Sequence, residues 1–124
     1  MSINPNETDY VLGLFEPWGM RYHLEVIAEG IEYKEPTLSE MTIKAIGILE
    51  KNANGYLLLV EGGLIDISHH YNKARIALDE TAELAKAVEV AMSKTSEMDT
   101  LIIVTADHAA AMTYAGYPVS RNVA

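Results

Sequence analysis

Two short segments of the chain are apolar at every position, and a longer segment between them is apolar at three- and four-residue steps. The continuous runs are residues 56–60 and 101–104, which is typical of strands that are covered on both faces. In the segment between them, the three- and four-residue spacing of apolar residues predicts one long core helix with an apolar stripe. That stripe comprises Ala74, Ala77, Leu78, Thr81, Leu84, Ala85, Val88, Ala91 and Met92.

Further elements are predicted on either side of this pattern. Residues 10–15 are typical of a short strand, which Pro17 and Gly19 would end, and residues 17–36 look irregular. The sequence Thr37-Leu38-Ser39-Glu40 matches a capping box, in which the hydroxyl and the carboxylate each bind the other residue's backbone N–H. It predicts a helix that runs to about Lys51.

The order strand, long helix, strand predicts a βαβ unit over residues 55–105, with parallel strands and a right-handed crossover. The predicted fold class is therefore α/β. In such sheets, ligands bind beyond the carboxyl ends of the strands. The residues that follow the two apolar runs are therefore candidates for ligand binding.

Composition narrows the class of protein. The chain has 124 residues and a formal net charge of −9, and eight of its 18 acidic residues lie in the first 40 positions. This balance disfavours binding to nucleic acid or to anionic membranes. There is no cysteine, so disulfides and cysteine-ligated metals are excluded. The apolar runs are far shorter than a membrane span.

Metal-ligating side chains follow both apolar runs. Glu61, Asp66 and His70 come after the first run, and Asp107 and His108 come after the second. If a helix begins near Asp66, then Asp66 and His70 share one face and suit Zn²⁺, while a lone carboxylate such as Glu61 suits Mg²⁺. Each group taken alone could equally be a helix cap or a surface residue. Their joint position favours metal binding.

These residues stand in motifs that resemble alkaline phosphatases. The matching segments are VEGGLIDISHH (60–70) and VTADH (104–108), and LFEP (14–17) and EPTLSEMT (35–42) resemble animal members in particular. The resemblance covers nearly the whole chain. It implies a single partial domain, residues 1–124, of a three-layer α/β/α fold with a mainly parallel sheet.

The resemblance also implies a chemistry, namely hydrolysis of phosphate monoesters at two Zn²⁺ and one Mg²⁺ through a phosphoserine intermediate. By position, Glu61 would bind Mg²⁺, Asp66 and His70 one zinc ion, and Asp107 and His108 the other. Residues 55–110 would then be the metal-binding βαβ core.

Animal members carry a Ca²⁺ site beside this core. The backbone carbonyl of Phe15 and the carboxylate of Glu16 match two of its ligand positions, and Glu35 stands about where an aspartate is usual. Residues 8–40 would thus form a peripheral segment with a calcium site. An acidic exposed loop is the alternative.

Several parts of the family's machinery have no counterpart in these residues. They are the nucleophilic serine, the aspartate shared by zinc and magnesium, the phosphate-binding arginine and a third zinc-binding histidine. Ser68 lies in the wrong motif to be the nucleophile. The chain therefore resembles a central fragment, and we expect it to be inactive by itself.

Three positions also depart from the family pattern: Leu64, Ile67 and Ala110 replace polar residues that are common in relatives. The alternatives are an inactive truncated paralogue that binds metal or a protein, or another metallohydrolase of the superfamily. For the full-length parent the family implies a homodimeric glycoprotein, secreted or held at the cell surface by a GPI anchor. For the isolated chain we expect exposed apolar sheet edges.

Overall fold

A computed structural model of the chain describes residues 3–32, 34–110 and 112. Within these residues, a short 3₁₀ helix, Pro5–Glu7, is followed by four α-helices. They are α1 (His23–Glu29), α2 (Leu38–Leu49), α3 (Leu64–His70) and α4 (Ala74–Lys94). Helix α4 is the centre of the fold, because α1, α2 and α3 all pack against it.

The capping box predicted at Thr37 is confirmed. The Glu40 N–H donates to the Thr37 hydroxyl at 3.2 Å, and the Thr37 N–H donates to the Glu40 carboxylate at 2.8 Å. Two of the backbone donors that a helix start leaves without partners are thereby satisfied. Helix α2 buries Ile46 and Ile48, which belong to the small apolar core.

The long helix is also confirmed, but its buried face shares only Ala77 with the predicted stripe. The residues of α4 that are buried are Ala77, Glu80, Glu83 and Ala87, whereas Leu78 and Met92 of the predicted stripe are exposed. The stripe was predicted to face a sheet. Since the partners of α4 are helices, the two alanines let them approach closely and set which face is buried.

Helix α1 lies in the segment predicted to be irregular. Its start has no side-chain cap, but its end has a clear signal at Gly30, which adopts the left-handed conformation at φ 65°. The N–H of Gly30 donates to Ile27 O and that of Ile31 to Val26 O. Helices commonly end in this way at glycine, because glycine has no Cβ that would disfavour the left-handed conformation.

The predicted α/β fold class, with its βαβ unit at 55–105, is wrong for the part of the chain that the structure describes. No strand occurs in residues 3–32, 34–110 and 112. A strand needs a second segment about 4.8 Å away to complete its hydrogen bonds. The apolar runs instead lie unpaired, and Leu57 is 93% and Leu101 83% exposed. The exposed apolar sheet edges that we expected are therefore also wrong for these residues, where the apolar runs are exposed without a sheet.

The strand predicted at residues 10–15 is likewise absent, and Tyr10, Leu12 and Leu14 are exposed there. Within the described ranges, every helix is too short or too polar to cross a membrane.

Candidate metal centre

Helix α3 holds Asp66 and His70 on one face, as the four-residue spacing predicts. The Nε2 atom of His70 lies 3.2 Å from one carboxylate oxygen of Asp66. The helix begins directly after Gly62 and Gly63, and the Ile65 N–H donates to Gly62 O at 3.0 Å. The helix that follows the two glycines thus places the two candidate ligands, Asp66 and His70, on the same face.

His108, which is distant from Asp66 in the sequence, lies near the same carboxylate. Its Nε2 atom lies 3.8 Å from the second oxygen of Asp66 and 3.4 Å from Asp107 Oδ2. Asp66 therefore lies between the two imidazoles. We call Asp66, His70, Asp107 and His108 the open cluster, because all four side chains are 44% or more exposed.

The open cluster is not arranged as a finished metal site. Over the residues that the structure describes, no three His, Asp or Glu side chains are placed so that one ion could be held by all of them. What the structure does bring together is a carboxylate with an imidazole near each of its oxygens. These donor types are those that Zn²⁺ takes in proteins.

Glu61 is the predicted ligand that no described contact joins to the other four. It lines a cavity of about 280 Å³ together with Glu35, Glu80 and Glu83. A Cβ atom on Gly63 would lie only 3.2 Å from Glu61 Oε1. The missing side chain at position 63 therefore gives this carboxylate room.

Ser68 and His69 lie next to the open cluster but are engaged elsewhere. Ser68 is fully buried, and its hydroxyl donates to Ile65 O at 2.7 Å. The His69 Nδ1 atom also lies 2.7 Å from Ile65 O. That Ser68 is not the nucleophile stays a prediction.

A second group of ionisable side chains joins α1 to α4 and was missed by the sequence analysis. The backbone N–H of His23 donates to Glu80 at 2.7 Å, and its ring Nδ1 lies 2.8 Å from Asp79 and 3.5 Å from Glu83. We call His23, Asp79, Glu80 and Glu83 the junction cluster. It anchors the first turn of α1 on the centre of α4.

The junction cluster is partly shielded from water, and this perturbs one carboxyl group. Burial raises the pKa of Glu80, the hydrogen bond from the His23 backbone opposes that rise, and the nearby charge of Asp79 adds to it. The sequence did contain a signal: Glu80 and Glu83 lie in line with Ala77 and Ala87, and small residues at that spacing indicate close helix packing. Nothing local, however, indicated His23.

Two of the three predicted calcium ligands, Glu16 and Glu35, lie beside Arg21. The Arg21 backbone N–H donates to Glu35 Oε2 at 3.1 Å, and its Nε lies 3.5 Å from Glu35 Oε1 and 3.9 Å from Glu16. A further ion pair joins Arg21 to Glu29. Phe15, the third predicted ligand, is half-exposed. Both predicted carboxylates are therefore already paired with a cation of the chain itself.

Comparison with known proteins identifies the family of this chain. The chain is 48% identical over 122 residues to the human tissue-nonspecific isozyme of alkaline phosphatase, covering 98% of this chain and 22% of that protein. It is 47% identical over 117 residues to a membrane-bound alkaline phosphatase of Bombyx mori, covering 94% and 20%. An alkaline phosphatase of Gadus morhua is 47% identical over 122 residues, covering 98% and 25%.

The chain thus spans about a fifth to a quarter of the length of these relatives. No solved structure matches it with comparable significance. The sequence model of one protein family, described as alkaline phosphatase, matches residues 1–124 in full. The chain belongs to the alkaline phosphatase family.

Proposed function

We propose that this chain supplies metal-binding residues to an alkaline phosphatase that hydrolyses phosphate monoesters. The observation that carries the proposal is the convergence of His70 and His108 on the carboxylate of Asp66, at 3.2 and 3.8 Å. These two histidines are 38 positions apart in the sequence. Their meeting at one carboxylate is a property of the fold rather than of a local motif.

The donor types fit the metals that the family implies. Asp66 and His70 would hold one zinc ion, Asp107 and His108 a second, and Glu61, a carboxylate with only oxygen donors, would hold magnesium. When bound, the ions would polarise the phosphate, and zinc would lower the pKa of bound water to about 7. The role of the chain's own residues would be to hold imidazoles and carboxylates side by side. Asp66 would orient both rings.

We further propose that turnover belongs to a longer phosphatase, in which residues 55–110 form the metal-binding region and residues 8–40 a peripheral one. No residue of this chain matches the family's nucleophilic serine, so the chain alone would not hydrolyse phosphate esters. A homodimeric parent, glycosylated and secreted or GPI-anchored at the cell surface, is part of the same proposal. The Bombyx mori relative is named as membrane-bound, which supports the surface location.

Zinc titration by calorimetry tests the proposal, and neighbouring histidines provide a matched pair of variants. His70→Ala removes an imidazole beside Asp66, whereas His69→Ala removes one that contacts Ile65 O instead. We expect His70→Ala to weaken zinc binding at least about tenfold, since loss of groups that merely orient ligands already has that effect. His69→Ala should bind zinc like the unmodified chain. Equal losses in both variants would contradict the assignment.

An assay with p-nitrophenyl phosphate separates the proposed role from its alternatives. We expect the isolated chain, loaded with zinc and magnesium, to release no p-nitrophenol above background. Zinc-dependent turnover that Asp107→Ala abolishes would contradict the inference that this chain contains no nucleophile. A chain that neither binds zinc nor turns over would contradict the proposal, and of the alternatives it would leave the inactive paralogue that binds a protein, for which Ile67 and Ala110 are the departures from relatives.

A further inference from the structure

Arg21 lies among three carboxylates of the peripheral segment. Its guanidinium is paired with Glu29 and lies near Glu16 and Glu35, and its backbone N–H also donates to Glu35. These acids come from three different places: the loop before α1, the last residue of α1 and the loop before α2. One cation thus ties together a segment whose acidic residues would otherwise repel each other.

Glu35 is the residue most dependent on this cation. Only 6% of its surface is exposed, and its Oε1 atom is buried without a hydrogen-bond partner among the described atoms. Burial of a charged carboxylate costs free energy unless a nearby positive charge pairs with it. The Nε of Arg21, 3.5 Å from Oε1, is the cation that the structure places there.

A divalent cation at the same position would need the carboxylate oxygens that Arg21 already contacts. Calcium takes six to eight oxygen ligands at about 2.3–2.6 Å. The carboxylates of Glu16 and Glu35, which the family resemblance assigns to calcium, both lie within 4 Å of the guanidinium. Calcium bound to them would therefore lie beside a permanent positive charge, which arginine keeps at every accessible pH.

We propose that Arg21 is a built-in substitute for calcium, and that the peripheral segment of this chain is ordered without Ca²⁺. The family expectation of a calcium site does not fit the residues present, because the chain itself supplies the cation. Arg21 thereby determines the cation specificity of the segment. Removal of its charge should convert the Glu16, Glu29 and Glu35 carboxylates into a calcium-responsive group.

Calcium titration of the whole chain, followed by calorimetry and by the Tm, tests this with three forms. The unmodified chain should neither bind Ca²⁺ nor change its Tm at millimolar calcium. Arg21→Gln should have a lower Tm in EDTA, and calcium should raise that Tm, with a Kd on the order of 10⁻⁴–10⁻³ M, the range of weak sites. Arg21→Lys keeps the charge without the planar fork, and should remain unresponsive to calcium.

Two results would overturn the proposal. The first is stoichiometric Ca²⁺ binding by the unmodified chain that Glu35→Gln abolishes. The second is a folded Arg21→Gln chain that gains no response to calcium, because Arg21 would then not be what excludes the ion. If Arg21→Gln does not fold, the NMR resonance of the Arg21 Nε–H in the unmodified chain decides. It should not change on addition of calcium, and a saturable shift would contradict the substitution.

Discussion

The junction cluster and the open cluster contain the same side-chain types in opposite surroundings. The His23 side chain is 22% exposed and lies between carboxylates of α4, whereas that of His70 is 73% exposed and has one carboxylate near it. In the junction cluster the carboxylates accept from a backbone N–H and from Lys86. In the open cluster the side chains contact one another, and the one further described partner is Ala109 O, 3.2 Å from His108 Nδ1.

The charged groups of the junction cluster thus contribute to folding, whereas those of the open cluster remain accessible to a ligand. Glu80 and Glu83 are buried, so their partners within the chain contribute to stability. Asp66, His70, Asp107 and His108 can be reached from water, and ion pairs that exposed contribute little. Accordingly, substitutions in the junction cluster should change stability without metal, and substitutions in the open cluster should change metal binding.

The largest effect is expected from Glu80→Ala in the junction cluster. The variant leaves the His23 N–H at the start of α1 without its acceptor, and an unpaired buried donor costs about 1–3 kcal/mol. Urea denaturation measures the loss in the free energy of unfolding. Glu89→Ala, on an exposed position of the same helix, is the control and should be close to neutral. Equal losses in both variants would contradict the assignment of the effect to the contact with His23.

A smaller loss is expected from Thr37→Ala, at the start of the helix that follows Glu35. Removal of the capping hydroxyl should cost about 1 kcal/mol. Ser39→Ala is the matched control two residues away, because the Ser39 Oγ is buried without a hydrogen-bond partner among the described atoms. Loss of that hydroxyl should be neutral or slightly stabilising. A larger loss from Ser39→Ala than from Thr37→Ala would contradict the assigned cap.

A weak pH dependence should distinguish Glu80 from exposed glutamates. Because burial raises the pKa of Glu80, the folded chain holds this proton more tightly than the unfolded chain does. The stability that this adds is complete below the ordinary pKa of glutamate and is lost as the pH rises through the raised folded value. The free energy of unfolding of the unmodified chain, minus that of Glu80→Gln, should therefore fall with rising pH in mild acid.

Glu89→Gln is the control for this titration, and its difference from the unmodified chain should stay constant over the same range. A difference for Glu80 that grew with rising pH would mean that its carboxylate is stabilised by its neighbours rather than destabilised by burial. The contribution of the junction cluster to folding would then have the opposite dependence on charge.

The smallest effect on stability is expected in the open cluster. Without metal, His70→Ala should change the free energy of unfolding by no more than about 0.5 kcal/mol, as is usual for exposed side chains. The same denaturation experiment measures it. With zinc present, the unmodified chain should become more stable than the variant, since a ligand stabilises the state that binds it. A loss in metal-free buffer as large as that of Glu80→Ala would remove the distinction between the two clusters.

The elements that the sequence predicted correctly have local signals. The capping box at Thr37 defined the start of α2, and helical spacing defined α4 within two residues of its observed end. The contact of Asp66 with His70 followed from four-residue spacing. The role of both residues as metal ligands stays a prediction.

The elements that failed depend on distant partners. An apolar run such as residues 56–60 becomes a strand only if another segment pairs with it, and the run itself does not specify one. The buried face of α4 also depends on what packs against it. Leu78, a member of the predicted stripe, is therefore exposed, while Glu80, outside that stripe, is buried. The short helix α1 was missed because its N-cap, Tyr22, makes no capping bond.

The most direct test of the difference between the clusters is a zinc titration followed by the NMR signals of the imidazole rings. The chain has four histidines, His23, His69, His70 and His108, and each reports on a different environment. We predict that zinc shifts the ring signals of His70 and His108 together, while those of His23 and His69 stay unchanged. Zinc that shifted His23 or His69 first, or that left His70 and His108 unchanged at saturation, would contradict the account.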